Sequence, residues 1–162
     1  KKPEDAPTFK YARDLWHSAS DDDEFVAAHP YAIKKQIGGA RGARRGKASG
    51  KLIGRDADCI IVPMRPVGQE LAEPIGVEVI NTAGVKQTFG CKGSLILGNP
   101  MDPGIPMMVL EGWASAAAYF EIMNGHCCVA VAFGKSCLER VAADLANHYT
   151  DHQVVIGVEQ DA

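Results

Sequence analysis

The last third of the chain alternates between short apolar runs and longer segments with helical spacing. Apolar runs occupy residues 107–110, 127–132 and 153–158, and their length and branched side chains are typical of buried strands. The segments between them, 113–123 and 136–148, have the length of helices. A strand-helix-strand-helix-strand order is typical of a parallel sheet flanked by helices, with right-handed crossovers. We therefore predict an α/β fold in which the three runs are parallel strands of one sheet.

The earlier part of the chain has a mixed pattern that predicts a small α+β subdomain. Three helices are expected, at residues 9–19, 23–28 and 31–37. Asp21 to Asp23 favour the start of the second helix, because carboxylates cap N–H groups and suit the helix dipole. Four strands are expected, at residues 58–64, 75–81, 86–89 and 94–97. Because residues 99–106 form a Pro/Gly-rich linker, we place the first subdomain at 1–105 and the second at 106–162.

Glycine and arginine dominate residues 38–50. This composition predicts a loop that is mobile unless a ligand orders it, since glycine is entropically costly to fix and like charges repel. The net charge of the whole chain is −3, yet eight basic residues and no Asp or Glu lie between Lys34 and Arg55. A local cationic segment of this kind can bind phosphate, and the alternative is a solvated loop.

Composition narrows the class of protein. With 162 residues, 46% hydrophobic and 23% charged, the chain can bury a core without a disulfide or structural metal. Its five cysteines include no C-x-x-C pair, which argues against a disulfide framework and a zinc ribbon. Thiols fit a cytoplasmic location, and no signal peptide or apolar stretch of membrane length is present. Since the chain begins at Lys1 without a methionine, we expect an excised or processed piece.

Carboxylates follow the first and third apolar runs directly. Glu111 comes after the first run, and Glu159 and Asp161 come after the third. The carboxyl ends of parallel strands meet at one edge of a sheet, where open α/β folds place their sites. Clustered carboxylates are the usual ligands of Mg²⁺. The alternative is that Glu111 only favours the following helix and the other two are solvated.

Three motifs in this region resemble those of Toprim domains. Val109-Leu110-Glu111-Gly112 resembles an apolar strand that ends in Glu-Gly, and Val154-Val155-Ile156-Gly157-Val158-Glu159-Gln160-Asp161 resembles a strand that ends in Asp-x-Asp. Between them, Val129-Ala130-Val131-Ala132-Phe133-Gly134-Lys135 is similar to the central strand and loop of Toprim domains in plasmid and phage DNA primases. Upstream, His29-Pro30-Tyr31 and residues 59–98 resemble the segments that precede Toprim in this family, so the resemblance covers nearly the whole chain.

The resemblance implies a DNA primase that makes short RNA primers from ribonucleotides on single-stranded DNA. It implies Mg²⁺ or Mn²⁺ as the cofactor, and a replicative helicase domain as a further partner, without a membrane. The catalytic and metal-binding residues would be Glu111, Glu159 and Asp161. Nucleotide phosphates would contact Lys92 and Lys135. The template backbone would contact Arg41, Arg44, Arg45 and Lys47.

Two departures from the family keep other functions open. Glu159 stands where the family has Asp, and its extra methylene moves the oxygens in a site where octahedral Mg²⁺ geometry is strict. The chain also stops at Ala162, where a complete Toprim fold continues with another helix and strand. One alternative is a different Toprim enzyme, a nuclease or a topoisomerase-like protein. The other is a non-catalytic nucleic-acid-binding module of a replication protein.

Overall fold

The computed structural model describes residues 2–158, and its contacts divide the chain into two compact units. The first unit comprises Lys1–Arg65 and Leu71–Gly93, and the second comprises Pro66–Glu70 and Ser94–Ala162. Each unit combines helices with one sheet. The predicted α/β class is therefore confirmed at this coarse level.

The first unit contains an antiparallel sheet, and its three helices precede the strands in the sequence. Its helices are α1 (Phe9–Ser18), α2 (Asp23–Ala27) and α3 (Pro30–Lys35). Its strands are β1 (Arg44–Gly50), β2 (Gly54–Met64), β3 (Gly76–Ile80) and β4 (Lys86–Gly90). Strands that follow each other in the chain also pair, in the order β1-β2-β3-β4.

Helix α1 covers one face of this sheet. Its buried residues Ala12, Leu15 and Trp16 have i, i+3, i+4 spacing, which puts them on one side of a helix. They share a core with inward-facing residues of all four strands, including Ala48, Ile61, Val79 and Phe89. Burial of this apolar face explains why the sequence folds as a helix on a sheet here.

The outer edge of β1 is covered by residues from α1 and its C-terminal end. Ser20 and Arg45 exchange two backbone hydrogen bonds of 2.9 and 2.8 Å. Farther along the strand, the Tyr11 hydroxyl accepts a 2.9 Å hydrogen bond from the Ser49 N–H. An open strand edge invites pairing with other chains, and these contacts occupy it at two places.

The prediction of a mobile loop at residues 38–50 is wrong for Arg44–Gly50, which form β1. Small residues make the close approach to α1 possible: a Cβ at Gly46 would lie 3.0 Å from the Cβ of Ala19, and Ala48 is buried. Gly46, one of the glycines that suggested disorder, therefore serves close packing.

The caps of α2 and α3 are well defined. The Asp22 side chain accepts from the Phe25 N–H at 2.9 Å, and Asp23 accepts from the Ala40 N–H at 2.9 Å. The buried ring of His29 caps α3, since its Nδ1 accepts from the Tyr31 N–H at 3.1 Å. Its Nε2 lies 2.9 Å from the Asp58 carbonyl oxygen, which requires the proton on Nε2. The bond to Nδ1 needs a neutral ring, and burial lowers the pKa of His29.

The second unit contains a four-stranded sheet with a helix on each face. Its elements are β5 (Leu95–Gly98), β6 (Met107–Leu110), α4 (Trp113–Ile122), β7 (Cys128–Val131), α5 (Leu138–His148) and β8 (Val154–Ile156). The strand order is β5-β7-β6-β8. Val109 of β6 pairs in parallel with Ala130 of β7 on one side and with Ile156 of β8 on the other.

The three predicted strands are thus parallel neighbours, but the sheet as a whole is mixed. Strand β5 pairs antiparallel with β7, which corrects the expectation of a parallel sheet throughout. Because of that pairing, β5 belongs to the second unit, and the boundary expected at 105/106 falls inside it. Sequence spacing did not indicate this partner.

The two helices of this unit lie on opposite faces of the sheet. Val141 and Leu145 of α5 share a core with Met107 and Val109 of β6. Met108, whose side chain points to the other face, lines a cavity with Tyr119 of α4. The flanking of the parallel strands by helices agrees with the prediction.

A short segment from the β2–β3 connection, Pro66–Glu70, packs within the second unit. Val67 packs against the core beside α5. A Cβ at Gly68, which has a φ of +89°, would fall 2.5 Å from the ring of His148. The Tyr149 hydroxyl donates a hydrogen bond to Glu70. These contacts complete the surface around the C-terminal end of α5.

No helix within residues 2–158 is long and apolar enough to cross a membrane.

Replacing His29 with Asn tests the neutral cap. The wild-type free energy of unfolding should fall as pH drops below about 6.5, because the unfolded chain binds a proton that buried His29 resists. His29→Asn keeps an oxygen that can accept from the Tyr31 N–H but loses packing, at a cost of about 1–2 kcal/mol at neutral pH. Between pH 6.5 and 5 its stability should therefore change less than that of the wild type. Urea denaturation across this pH range measures both, and equal slopes would contradict the assignment.

Candidate functional site

Glu111 lies at the carboxyl end of β6, the strand between β7 and β8. The chain passes from β6 to β7 on one side and returns to β8 on the other, so the gap between the ends of β6 and β8 is a topological switch point. Open α/β sheets bind ligands at such points. The Glu111 side chain is half-buried there, so its carboxylate can meet a ligand.

Strand β8 continues along β6 beyond its last paired residue. The Gly157 N–H donates to the Val109 carbonyl oxygen at 2.9 Å. A Cβ at Gly157 would fall 2.4 Å from Cδ2 of Leu110, so a larger residue here would require the Leu110 side chain to move. The described chain ends at Val158, close in sequence to the other two predicted carboxylates. Glu159 and Asp161 themselves lie outside the described residues.

The loop after β7 is bonded to the backbone of Glu111. The Phe133 N–H donates to the Glu111 carbonyl oxygen at 2.9 Å. Phe133 is buried and has a φ of +63°, and Gly134 follows with a φ of +145°. The left-handed region costs a bulky residue roughly 1–2 kcal/mol, and such strain is found most often at ligand sites. The next residue is Lys135, an exposed side chain on the loop that leads into α5.

Lys92 belongs to the first unit, whereas Glu111 and Lys135 belong to the second. It is exposed in the irregular segment after β4, where a Cβ at Gly93 would fall 2.6 Å from the Arg65 carbonyl oxygen. Burial raises the pKa of Glu78 on β3, and the charges of Lys86 and Lys92 oppose that rise. The charge of Lys92 thus already favours the ionised form of one carboxyl group in its own unit, that of Glu78.

Arg44 and Arg45, two of the predicted template contacts, have partners within the first unit. The Arg44 guanidinium lies 3.9 Å from the ring centroid of Trp16 and donates to the Trp16 carbonyl oxygen at 2.8 Å. Arg45 forms a bidentate pair with Asp58, with Nε–Oδ1 and Nη2–Oδ2 distances of 2.9 and 2.6 Å. It also stacks on Phe25 and donates to its carbonyl oxygen at 2.8 Å. These two arginines hold β1 to α1, α2 and β2.

The Arg45–Asp58 pair determines the charge state of its members. The hydrogen bonds from Arg45 lower the pKa of Asp58, although burial opposes this effect. Bidentate guanidinium–carboxylate pairs are among the strongest charge-assisted hydrogen bonds. Of the other predicted template contacts, Lys47 is exposed, and Arg41 is half-buried with a φ of +45°.

The described part of the chain contains no cluster of side chains suited to bind a metal ion. Among residues 2–158, no group of three His, Cys, Asp or Glu side chains could hold a metal ion. Only Glu111 of the predicted catalytic and metal-binding trio falls in this range. Burial raises the pKa of Cys59 to about 11 and that of Cys128 to about 12, so these thiols are protonated at neutral pH and poor ligands.

Two features of the structure were not identified from the sequence. One is the network of His29, Arg45 and Asp58. The sequence hints at it only through Asp58, a carboxylate directly before the apolar run 59–62. The other is the left-handed conformation of Phe133, for which Gly134 is the only local hint. The network is structural, whereas the loop of Phe133 lies beside the carboxylate edge.

Comparisons with protein-family models, with curated proteins and with solved structures found no match to this chain.

Removing the guanidinium of Arg45 tests its structural role. Arg45→Met leaves the half-buried Asp58 carboxylate without its partner and should destabilise the protein by about 2 kcal/mol at neutral pH. The wild-type pair stabilises fully above the unfolded Asp pKa of about 3.8, and this contribution is lost as pH falls through the lower folded pKa. The difference between the two proteins should therefore shrink below that pH. Chemical denaturation gives both values.

The matched control is Arg55→Met, at an exposed arginine on the same sheet. It should change the free energy of unfolding by less than about 0.5 kcal/mol. Equal destabilisation by the two substitutions would show that the pair with Asp58 contributes nothing specific.

Proposed function

We propose that this chain is a catalytic fragment of a Toprim-type DNA primase, of the plasmid or phage kind, that makes short RNA primers on single-stranded DNA. The observation that carries the proposal is the position of Glu111 at the switch point between β6 and β8. The residues that follow β8 in sequence include Glu159 and Asp161. Glu-Gly thus follows one of two adjacent parallel strands, and Glu-x-Asp follows the other in sequence, where the family that the chain resembles has Asp-x-Asp.

The proposed reaction joins two nucleotides. The 3′-hydroxyl of the primer attacks the α-phosphate of an incoming ribonucleotide, an ester bond forms, and pyrophosphate leaves. Bound Mg²⁺ or Mn²⁺ would lower the pKa of the hydroxyl and neutralise charge on the phosphate. Glu159 and Asp161 are proposed as its ligands. Glu111 would be a further ligand or the general acid/base for the hydroxyl proton.

Carboxylate oxygens suit a hard divalent cation, so the proposed donor set fits this role. Lys135 is the proposed contact to the nucleotide phosphates, since its loop is bonded to the Glu111 backbone. Lys92 stays a predicted nucleotide contact in the first unit. The basic first unit, with its exposed Lys47, is proposed to bind the template backbone.

Substituting Glu111 tests the catalytic assignment. Glu111→Gln keeps the shape of the side chain and removes its charge, so primer synthesis should fall roughly 100-fold or more while the thermal unfolding midpoint stays unchanged. Incorporation of labelled ribonucleotides on single-stranded DNA, with Mg²⁺ or Mn²⁺, measures synthesis. Calorimetric titration with Mn²⁺ should show weaker binding as an independent result.

Glu139→Gln is the matched control, because Glu139 is an exposed glutamate on α5 of the same unit. It should synthesise primers like the wild type. Metal-dependent synthesis that survives Glu111→Gln would place the catalytic site elsewhere and overturn the assignment.

Substituting Glu159 separates an active enzyme from a decayed site. Glu159→Asp introduces the residue that the primase family has at this position. The shorter side chain should place its oxygens as octahedral Mg²⁺ coordination requires. If Glu159 is a functional ligand, the variant should retain or increase primer synthesis with Mg²⁺. Loss of synthesis in Glu159→Asp would show that the site requires the longer side chain. Absence of synthesis in both proteins would favour a non-catalytic nucleic-acid-binding module.

A further inference from the structure

Five cations of the basic segment lie on the β1–β2 hairpin, and they divide into two sets. Arg44 and Arg45 are engaged with Trp16 and Asp58, as described above. Lys47, Lys51 and Arg55 are exposed on the β1–β2 hairpin, and within the described residues none of their side chains forms a hydrogen bond or ion pair. Lys47 lies opposite Asp58 in the strand register, where its charge adds to that of Arg45 in lowering the pKa of the carboxyl. The second set is therefore available to a ligand in a way that the first is not.

The hairpin brings these three cations close together. Lys47 and Lys51 are separated by at most about 14 Å of extended chain. Gly50 pairs with Gly54, so the returning strand places Arg55 beside the end of β1. Residues 44–58 contain five basic and two acidic residues in a chain whose net charge is −3. One of the two carboxylates, Asp58, is already paired with Arg45.

The tip of the hairpin is held in place by the rest of its unit. The Leu52 N–H donates to Oε1 of Gln87 at 2.9 Å, and the Asn81 side chain donates to the Ile53 carbonyl oxygen at 3.1 Å. Ile53 itself is buried. A tip held by β4 and by the residue that follows β3 presents its cations without the entropic cost of ordering a loop on binding.

The tip also presents an apolar side chain between its cations. Leu52 is 64% exposed, and it lies between Lys51 and Arg55 in the chain. A single strand of nucleic acid offers phosphates to cations and base faces to apolar groups, which matches this combination. A purely acidic partner surface would pair with the cations but would not account for the exposed Leu52 side chain.

We infer that the β1–β2 hairpin is the surface that binds single-stranded DNA, through Lys47, Lys51 and Arg55 to phosphates and Leu52 to a base. The choice of single-stranded DNA rests on the proposed primase function. Arg44 and Arg45, in this assignment, position the hairpin and do not contact the template.

The test compares two triple variants of equal charge. The hairpin variant carries Lys47→Gln, Lys51→Gln and Arg55→Gln. The control carries Lys10→Gln, Lys34→Gln and Arg140→Gln, at exposed cations outside the hairpin. Binding of a labelled oligo-dT strand is measured by anisotropy over a range of salt, with EDTA and without nucleotides, so that the carboxylate site does not contribute.

The hairpin variant should bind at least about tenfold more weakly at low salt. Its slope of log affinity against log salt should be smaller by about 2, because each lost phosphate contact on a single strand removes roughly 0.7. The control should retain most of the affinity and slope. Equal losses in both variants, or an unchanged slope in the hairpin variant, would overturn the inference.

A second arm replaces Leu52 and changes the ligand. Leu52→Ser should weaken oligo-dT binding without changing the salt slope, since it removes no phosphate contact. Vesicles of phosphatidylcholine with phosphatidylserine serve as an alternative polyanion. Tight binding to vesicles together with no binding to oligo-dT would show that the hairpin recognises a membrane and overturn the assignment.

Failure of this inference can be told from failure of the proposed function. If Glu111→Gln leaves synthesis intact but the hairpin variant loses DNA binding, the hairpin assignment stands and the catalytic proposal fails. If synthesis depends on Glu111 and the hairpin variant binds normally, only the hairpin assignment fails. When both hold, the hairpin variant should show a raised KM for template and an unchanged kcat.

Discussion

Strand β6 pairs in parallel on both sides while its two faces are covered by different helices, and the second unit is organised around this constraint. Met107 and Val109 point to the side of α5, and Met108 to the opposite side. A charge at Met107 or Val109 would be buried without a partner, and this costs far more free energy than one interaction returns. Glu111 lies just past the end of the strand, where its side chain is only half-buried. The topology therefore accounts for the place of this carboxylate.

Local patterns in the sequence predicted most of the elements because each depends on residues near each other in the chain. The spacing of Ala12, Leu15 and Trp16 is visible without knowing the sheet that they cover. The same holds for the run Met107–Leu110, which became β6 without change. The pairing of β5 with β7 could not be predicted in this way, since about 30 residues separate the partners and antiparallel and parallel strands share one apolar pattern.

The basic segment shows the same limit in electrostatic terms. Repulsion between arginines argues for disorder only while their partners are unknown. Asp58 lies 13 residues from Arg45, and Trp16 lies 28 residues from Arg44. These contacts offset the repulsion between the arginines and hold the edge strand β1 in place. Of the candidate site, the sequence indicated Glu111 at its edge. The left-handed backbone of Phe133 could not be predicted from the sequence, because packing and the hydrogen bond to Glu111 impose it against the local preference of phenylalanine.

The Pro66–Glu70 segment has a consequence for how the chain can be divided. It lies between two strands of the first unit, yet Val67 completes the core beside α5 and Glu70 accepts the hydroxyl of Tyr149. The polypeptide thus passes from one unit to the other more than once, and a single proteolytic cut cannot release either as an intact piece. A fragment that starts at Ser94 would expose apolar surface of α5 and leave the half-buried Tyr149 hydroxyl without its acceptor Glu70. Each unit is thus built from two separate stretches of sequence, although each has its own sheet.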